Sequence, residues 1–545
     1  MMGMKRILSV GLLATMVASF ATADFDGPAP LAWRWVQPGT SSPTGSPTIQ
    51  DGTVYVATGN RMYALDKETG NQKWKFPLVD PIDGSFKSTV MLTEGMAIAA
   101  GNNKTIYGVD AKTGESRWSY VAPTPIYREP VIASKFVVFA MTDNTLMAIN
   151  VSDGQPAWNA PIKVHEGFMG RLAAYQSNVY YFNNNYEMVS LSATTQKANW
   201  KQRFSVIGPD VEAVNLSDNL YVNSGSYMIG VNAVSGRKVY EGNANEQLAF
   251  APAVNGDSVL SVDLDGKVYL FGSNGRPMVR KEINLGSQPA TRPSVAGRFY
   301  VVPTRNGAIN LIDSKTGDVA WSYLVRPIGE SSSSSSTTGR GPGGPGGAEG
   351  PGGLGGPGGR GPGGAGGAQQ TSPTKVLAIP AAGPAVLSGD TLFILAQDGS
   401  VLAFDKQLGV DLTPPSVKMV WPNAGDMVNG QPPLELIFKI EDEASGIDNK
   451  TIKIMADGQD LEYEFGRDGI ALVKISSLGK NKGFTNGRKV ITVMVSDWLG
   501  NQTRAEFALI IDNTLRPLQR PANEQNSGGG RGGVGGGGGI GGVGR

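Results

Sequence analysis

Short apolar runs separated by polar turn residues recur along the chain in a fixed order. Val54-Tyr55-Val56, Met62-Tyr63-Ala64-Leu65-Asp66, Thr69-Gly70 and Trp74 set the pattern, and Ala97-Ile98-Ala99, Ile106-Tyr107-Gly108-Val109-Asp110, Thr113-Gly114 and Trp118 repeat it. Weaker copies start near Val137, Val179, Leu220, Val259 and Tyr300. They place Trp158, Trp200, Tyr240, Met278 and Trp321 where the first copy has Trp74. Another copy, Leu392-Phe393-Ile394 through Val401-Leu402-Ala403-Phe404-Asp405, has no following tryptophan. Alternating or wholly apolar runs of this length, bounded by turn residues, predict β-strands. Asp265-Gly266, Asn306-Gly307 and Asp398-Gly399 are two-residue hairpin signals. A further apolar strand precedes each hairpin, as in Pro47-Thr48-Ile49, Pro130-Val131-Ile132, Pro252-Ala253-Val254 and Pro293-Ser294-Val295. With the tryptophan strand, each copy holds four.

A unit of about 41 residues has the size of a four-stranded propeller blade. The expected fold class is all-β, with an eight-bladed β-propeller over residues 31–408. The register adds a closure test: the last copy lacks its outer strand, while an orphan Trp33-Arg34-Trp35 precedes the first. That segment matches Trp74-Lys75-Phe76 and Trp118-Ser119-Tyr120. The N-terminal strand is expected to complete the last blade, joining the two ends and removing a free sheet edge.

The stretch Ala64 to Trp74 resembles the tryptophan-docking motif of the pyrroloquinoline-quinone-type propeller repeat, AxDxxTGxxxW. Gly108 to Trp118 follows it with Gly108 in place of Ala. Ala148 to Trp158 keeps Gly154 and the tryptophan with Asn150 for Asp, and Leu311 to Trp321 keeps Asp313, Thr316, Gly317 and Trp321. The resemblance implies tryptophans stacked between neighbouring blades, which is a structural duty. Many members of this class hold pyrroloquinoline quinone and calcium at the ring axis and oxidise alcohols or sugars. Others hold no quinone, among them the outer-membrane assembly lipoprotein that docks onto a β-barrel insertase. This chain is similar to that class in its repeats and departs from it in having no anchoring Cys and in carrying an extra domain.

Composition narrows the chemistry. The 545 residues contain no Cys and a single His, His165. Disulfides, thiolate nucleophiles, haem attachment, iron–sulfur ligation and a multi-His metal site in one chain are excluded. The alcohol-oxidising relatives commonly stack the quinone on a disulfide of adjacent cysteines, which this chain lacks. Lys+Arg 48 against Asp+Glu 47 gives a net charge of +1, without a long basic run, so nucleic acid is not an expected partner. The apolar stretch from Ile7 to Phe20 after Lys5-Arg6, followed by Ala21-Thr22-Ala23, reads as a signal peptide over 1–23. Its apolar core is shorter than the roughly 20 residues that span a bilayer. The mature chain is expected to carry no transmembrane segment and to be exported, periplasmic or extracellular.

Of the 75 glycines, 18 fall in Gly339 to Ala368 and 13 in Gly528 to Arg545. The first run lies in a Ser/Gly/Pro-rich insertion, 329–375, and the second in a Gly-rich tail, 515–545. Both are expected to be disordered, having few side chains to bury. The insertion is expected to leave the propeller from the face that bears the turns between the two middle strands. After Asp411-Leu412-Thr413-Pro414-Pro415, residues 411–514 resemble secreted bacterial immunoglobulin-like domains, through Asp442-Glu443-Ala444-Ser445-Gly446-Ile447-Asp448 and Asp497-Trp498-Leu499-Gly500-Asn501. An immunoglobulin-like β-sandwich is expected there.

No catalytic, cofactor-binding or metal-binding residues are assigned. His165 has no nucleophile motif beside it and reads as a surface or inter-blade residue. Asp442, Glu443 and Asp448 offer oxygen ligands for calcium between strands, or serve as solvated turn carboxylates; no EF-hand spacing supports the metal. Thr58-Gly59-Asn60 is a hairpin turn, not a phosphate loop, because no helix follows. Arg340, Arg360 and Arg531 punctuate Gly-rich linkers. The reading is an exported, non-catalytic propeller scaffold or binding protein of the cell envelope or extracellular space, without cofactor, whose partner is a protein or polysaccharide. The alternative is a quinone- and calcium-dependent alcohol or sugar dehydrogenase.

Overall fold

The computed structural model describes residues 25–36, 43–205, 211–216, 218–327, 378–466 and 469–518. All regular structure among them is β-strand, and no helix is long and apolar enough to cross a membrane. The insertion at 329–375, the signal segment, the C-terminal glycines and Arg340, Arg360 and Arg531 lie outside the described residues. Contacts divide the chain into two compact units, the first formed by residues up to 327, 378–412 and Glu443–Ser445, the second by the remainder of the C-terminal region.

Among the described residues the first unit holds eight four-stranded antiparallel sheets. Blade one is Thr48–Gln50, Thr53–Thr58, Arg61–Asp66 and Gln72–Phe76. Later blades repeat this order along the chain. The exception is blade eight, where Val386–Ser388, Thr391–Leu395 and Val401–Phe404 are joined by Leu31–Trp35 as outer strand. Trp33 pairs with Ala403 and Trp35 with Val401, so the N-terminal strand closes the last blade as the repeat register requires. Val54, Val56, Tyr63 and Leu65 of blade one pack on Phe393, Leu395, Val401 and Ala403 of blade eight. Second strands such as Thr53–Thr58 and Phe136–Met141 are buried at every position. A blade is covered on both faces by its neighbours, hence the wholly apolar runs.

The docking motif explains itself in the turns. Asp66 Oδ1 accepts the amides of Glu68 and Thr69, at 3.2 and 3.0 Å, which folds the chain so that Gly70 enters the left-handed region at φ 71°. The Trp33 ring lies against that glycine, so near that a β-carbon would stand 2.6 Å from it. Trp33 Nε1 then donates to the Lys67 carbonyl at 3.0 Å. Trp74 repeats the arrangement over Gly114, Trp118 over Gly154 and Trp200 over Gly236, with indole donors to Ala111, Val151 and Ala233. At Gly108, where the motif has Ala, the Trp118 ring lies so close that a β-carbon would come within 2.3 Å of it. Blade six, with Met278 in the docking position, departs from the scheme: Met278 is 42% exposed, and Val279 and Ile283 pack near Gly317 instead.

The turns correct one expectation. Asp265-Gly266 does not make a two-residue connection: the flanking strands end at Asp263 and resume at Lys267. Asp263 Oδ1 accepts the amides of Asp265 and Lys267, and Gly266 takes φ 89°. The buried carboxylate thus organises a longer turn that ends on glycine. Asn306-Gly307 and Asp398-Gly399 likewise sit in turns of more than two residues, after strands ending at Pro303 and Leu395. A true two-residue hairpin occurs at Gly59-Asn60, where Thr58 pairs with Arg61; glycine in the first position at φ 59° suits a type II′ turn. The residues flanking the long insertion meet at blade seven's middle turn, where Val325 N bonds to Gly307 O and Ile379 N to Val325 O.

The second unit is a β-sandwich. Ser416–Trp421, Leu434–Glu441, Ile470–Ile475 and Glu464–Phe465 form one sheet. The other contains Ile447–Ala456, Gly487–Asp497 and Gln502–Ile511, with Met427–Val428 pairing in parallel at its edge. Leu436, Phe438, Val473, Ile454, Val493 and Leu509 fill the space between them, each from the inward positions of an alternating strand.

Candidate functional site

The first strands of the eight blades surround the propeller axis, and a propeller's ligand chemistry, where it has any, depends on what those strands present. One position recurs there, four residues before the last residue of each first strand: Ser46, Thr89, Glu129, Arg171, Glu212, Ala251, Arg292 and Pro384. Hydrogen bonds join these residues from blade to blade. Ser46 Oγ donates to the Pro384 carbonyl at 2.7 Å and Ser46 N to Thr89 Oγ1 at 3.3 Å. Thr89 N donates to Glu129 Oε1 at 3.4 Å, and Arg171 Nη1 donates to Glu129 Oε2 at 3.1 Å. Across the small Ala251, Arg292 Nε lies 3.6 Å from Glu212 Oε2. The belt holds two carboxylates and two guanidiniums, each carboxylate facing an arginine.

Local backbone shape aims Arg171 at this belt. Its strand, Phe168–Tyr175, shifts register between Met169 and Ala173, a bulge that turns a side chain out of the ordinary pleat. Gly170 takes φ 69° within it, and Arg171 N donates to the Val211 carbonyl of the next blade at 2.9 Å.

Burial pushes the Glu129 carboxyl above the usual glutamate range, against the pull of Arg171 and the Thr89 amide; Glu212 adds to the rise and Arg292 opposes it. Because the folded value is raised, the ionised form costs the fold. That contribution to stability is present at acid pH, below the ordinary glutamate range, and is lost as pH rises through the raised value. Glu129→Gln is therefore expected to leave thermal stability at pH 7 within about 1 kcal/mol of the parent. As pH falls toward 4, the difference should move in favour of the parent chain. Paired melts across that range check it, and a Gln variant that loses ground steadily with rising pH would contradict it.

The residues singled out in the sequence do not converge. His165 is exposed in the turn between Ile162–Lys163 and Phe168–Tyr175. Thr58-Gly59-Asn60 is a hairpin turn. Asp442 Oδ1 caps its own turn by accepting the Gly446 amide at 2.6 Å, and Asp448 accepts the Lys450 amide. Asp442 comes within 4.8 Å of the Asp497 carboxylate, and neither Glu443 nor Asp448 belongs to that group, so Asp442, Glu443 and Asp448 are not gathered as one set. No single residue of the axial belt marks it in the sequence. Its signal is Glu129, Arg171 and Glu212 in one register of three successive repeats, the first two 42 residues apart, with Arg292 in the same register two repeats further on.

Comparisons with known proteins agree with the repeat architecture. A curated protein of Moranella endobia (strain PCIT), named outer membrane protein assembly factor BamB, is 23% identical over 254 residues, 44% of this chain and 64% of its own length. The chain thus spans a little under two thirds of that relative. BamB from Moraxella catarrhalis aligns with a TM-score of 0.49 at 13% identity, over 69% of this chain and 99% of that one. A europium-containing methanol dehydrogenase aligns at 0.42 and 13% identity, over 54% and 80% respectively. The family model described as outer membrane protein assembly factor BamB matches residues 30–227 and 224–342. Those residues carry the closing strand, the docking tryptophans and the axial belt through blade seven, and with more than half of its length so matched the chain belongs to the BamB family.

Proposed function

We propose that this protein is an exported, non-catalytic propeller scaffold of the cell envelope that binds other proteins, in the manner of an outer-membrane assembly factor. The observation that carries this reading is the axial belt. Calcium takes six to eight oxygen ligands, whereas each axial carboxylate here faces an arginine and two of the eight equivalent positions are Ala251 and Pro384. The donor set does not fit a quinone–calcium centre. Family membership supports the binding role, and the short turns of a rigid ring suit a docking platform. Fold alone does not decide function, so the experiment addresses the site and the role separately.

Purified protein incubated with pyrroloquinoline quinone and calcium is expected to retain no quinone after gel filtration and to show no dye-linked oxidation of alcohols or aldoses. Stoichiometric quinone with turnover would overturn the non-catalytic part. Removing the protein from its host is expected to lower the level of folded outer-membrane β-barrel proteins several-fold. Unchanged levels would overturn the assembly role.

A further inference from the structure

Docking tryptophans use the same acceptor at five blade junctions. The indole donates to the carbonyl of the residue directly after the Asp, Asn or Ser that opens the next blade's turn: Lys67, Ala111, Val151, Ala193 and Ala233. Between blades seven and eight the equivalent acceptor is Lys406, after Asp405, whose turn is built in the usual way with Gln407 N and Leu408 N on Asp405 Oδ1. Trp321 goes elsewhere. Its Nε1 donates to the Ser445 carbonyl at 2.8 Å, 124 residues further along the chain. Tyr323 Oη donates to the Glu443 carbonyl at 2.8 Å, and the amide of Leu31, the first residue of the closing strand, donates to the Ala444 carbonyl at 2.8 Å.

We infer that Glu443–Ser445 is a clasp that completes the propeller, three successive carbonyls holding the outer strand of blade seven to the closing strand of blade eight. These residues lie beyond the linker in sequence, yet by contact they belong to the first unit. Trp321 and Ser445 are fully buried there. The clasp accounts for the redirected indole. It also sets an order on assembly: a chain delivered N-terminus first cannot finish its ring until residue 445 has arrived, so the closing contacts carry a large loop-closure cost.

Hydrogen exchange on the full chain tests this, since local opening is read strand by strand. Ser445→Arg places a long side chain at a fully buried position and expels the clasp. Exchange at Val319–Leu324 and Leu31–Trp35 is expected to quicken at least about tenfold, with Phe136–Met141 in blade three unchanged. Glu443→Arg, which alters only an exposed side chain, is expected to behave as the parent. Protection unchanged in both strands, or lost equally in every blade, would overturn the clasp. Should Ser445→Arg not fold, Tyr323→Phe removes a single hydroxyl and is expected to quicken exchange across Glu443–Ser445 several-fold; parental exchange in that variant would overturn the inference.

Discussion

A chain lacking residues 25–36 is expected to lose the propeller's cooperative unfolding, with a fall in melting temperature of about 10 °C or more. Those residues supply the outer strand of blade eight, and without it Val401–Phe404 becomes an open edge. Trp33 would no longer cap Gly70 or donate to Lys67, and its tilted contact with Phe393, 5.9 Å between centroids, would vanish. Trp35 leaves Tyr63, 4.8 Å away, and Arg34 leaves the Arg326 carbonyl and Asp398. Phe25, which is buried, leaves Phe299 of blade seven. Removing a fully buried tryptophan costs about 3–5 kcal/mol; two half-buried ones with their strand pairing sum to about 5 kcal/mol or more, a large share of a typical domain's 5–15 kcal/mol. Circular dichroism or calorimetric melts decide it. A melting temperature unchanged within a degree or two would mean that the seven remaining blade junctions suffice.

The fold was legible because the repeat writes the same physical demands eight times over. Asp66, Thr69, Gly70 and Trp74 each answer one requirement of a blade junction, and the copies at Asp110 and Asp313 repeat them. Closure was legible from arithmetic alone, since a last copy without an outer strand and a first strand without a blade have one resolution. Two features were hidden for different reasons. The axial belt depends on residues of unlike chemistry in equivalent places, Glu129 beside Arg171 and Thr89 beside Ser46, which similarity searching passes over because the residues do not resemble one another. The clasp contributes backbone carbonyls, and no side chain in Glu443-Ala444-Ser445 advertises them; its residues read instead as part of a turn in the C-terminal domain. Turn lengths exceed the dipeptide signal where a buried acceptor such as Asp263 recruits two amides at once, a demand set by burial that a dipeptide does not carry.

Gly170→Ala is expected to cost on the order of 3–4 kcal/mol, at or above the top of the 1–3 kcal/mol for a strained backbone alone. Two effects add. The residue holds φ 69°, a region that disfavours side chains, and its β-carbon would stand 1.9 Å from the Val211 carbonyl oxygen. The obstacle is backbone, held in turn by the Arg171 amide at 2.9 Å, so relief requires parting the first strands of blades four and five. That movement also carries Arg171 away from Glu129, leaving a half-buried carboxylate without its counter-charge and adding to the loss. Gly52→Ala is the matched control, because Gly52 has φ 68° but nothing within 4 Å of the added carbon; its cost should be about 1 kcal/mol. Denaturant titrations of both variants separate strain from collision. Equal costs would show that the Val211 backbone yields freely, and that the bulge, rather than the tight approach of the two strands, is what aims Arg171 at the axis.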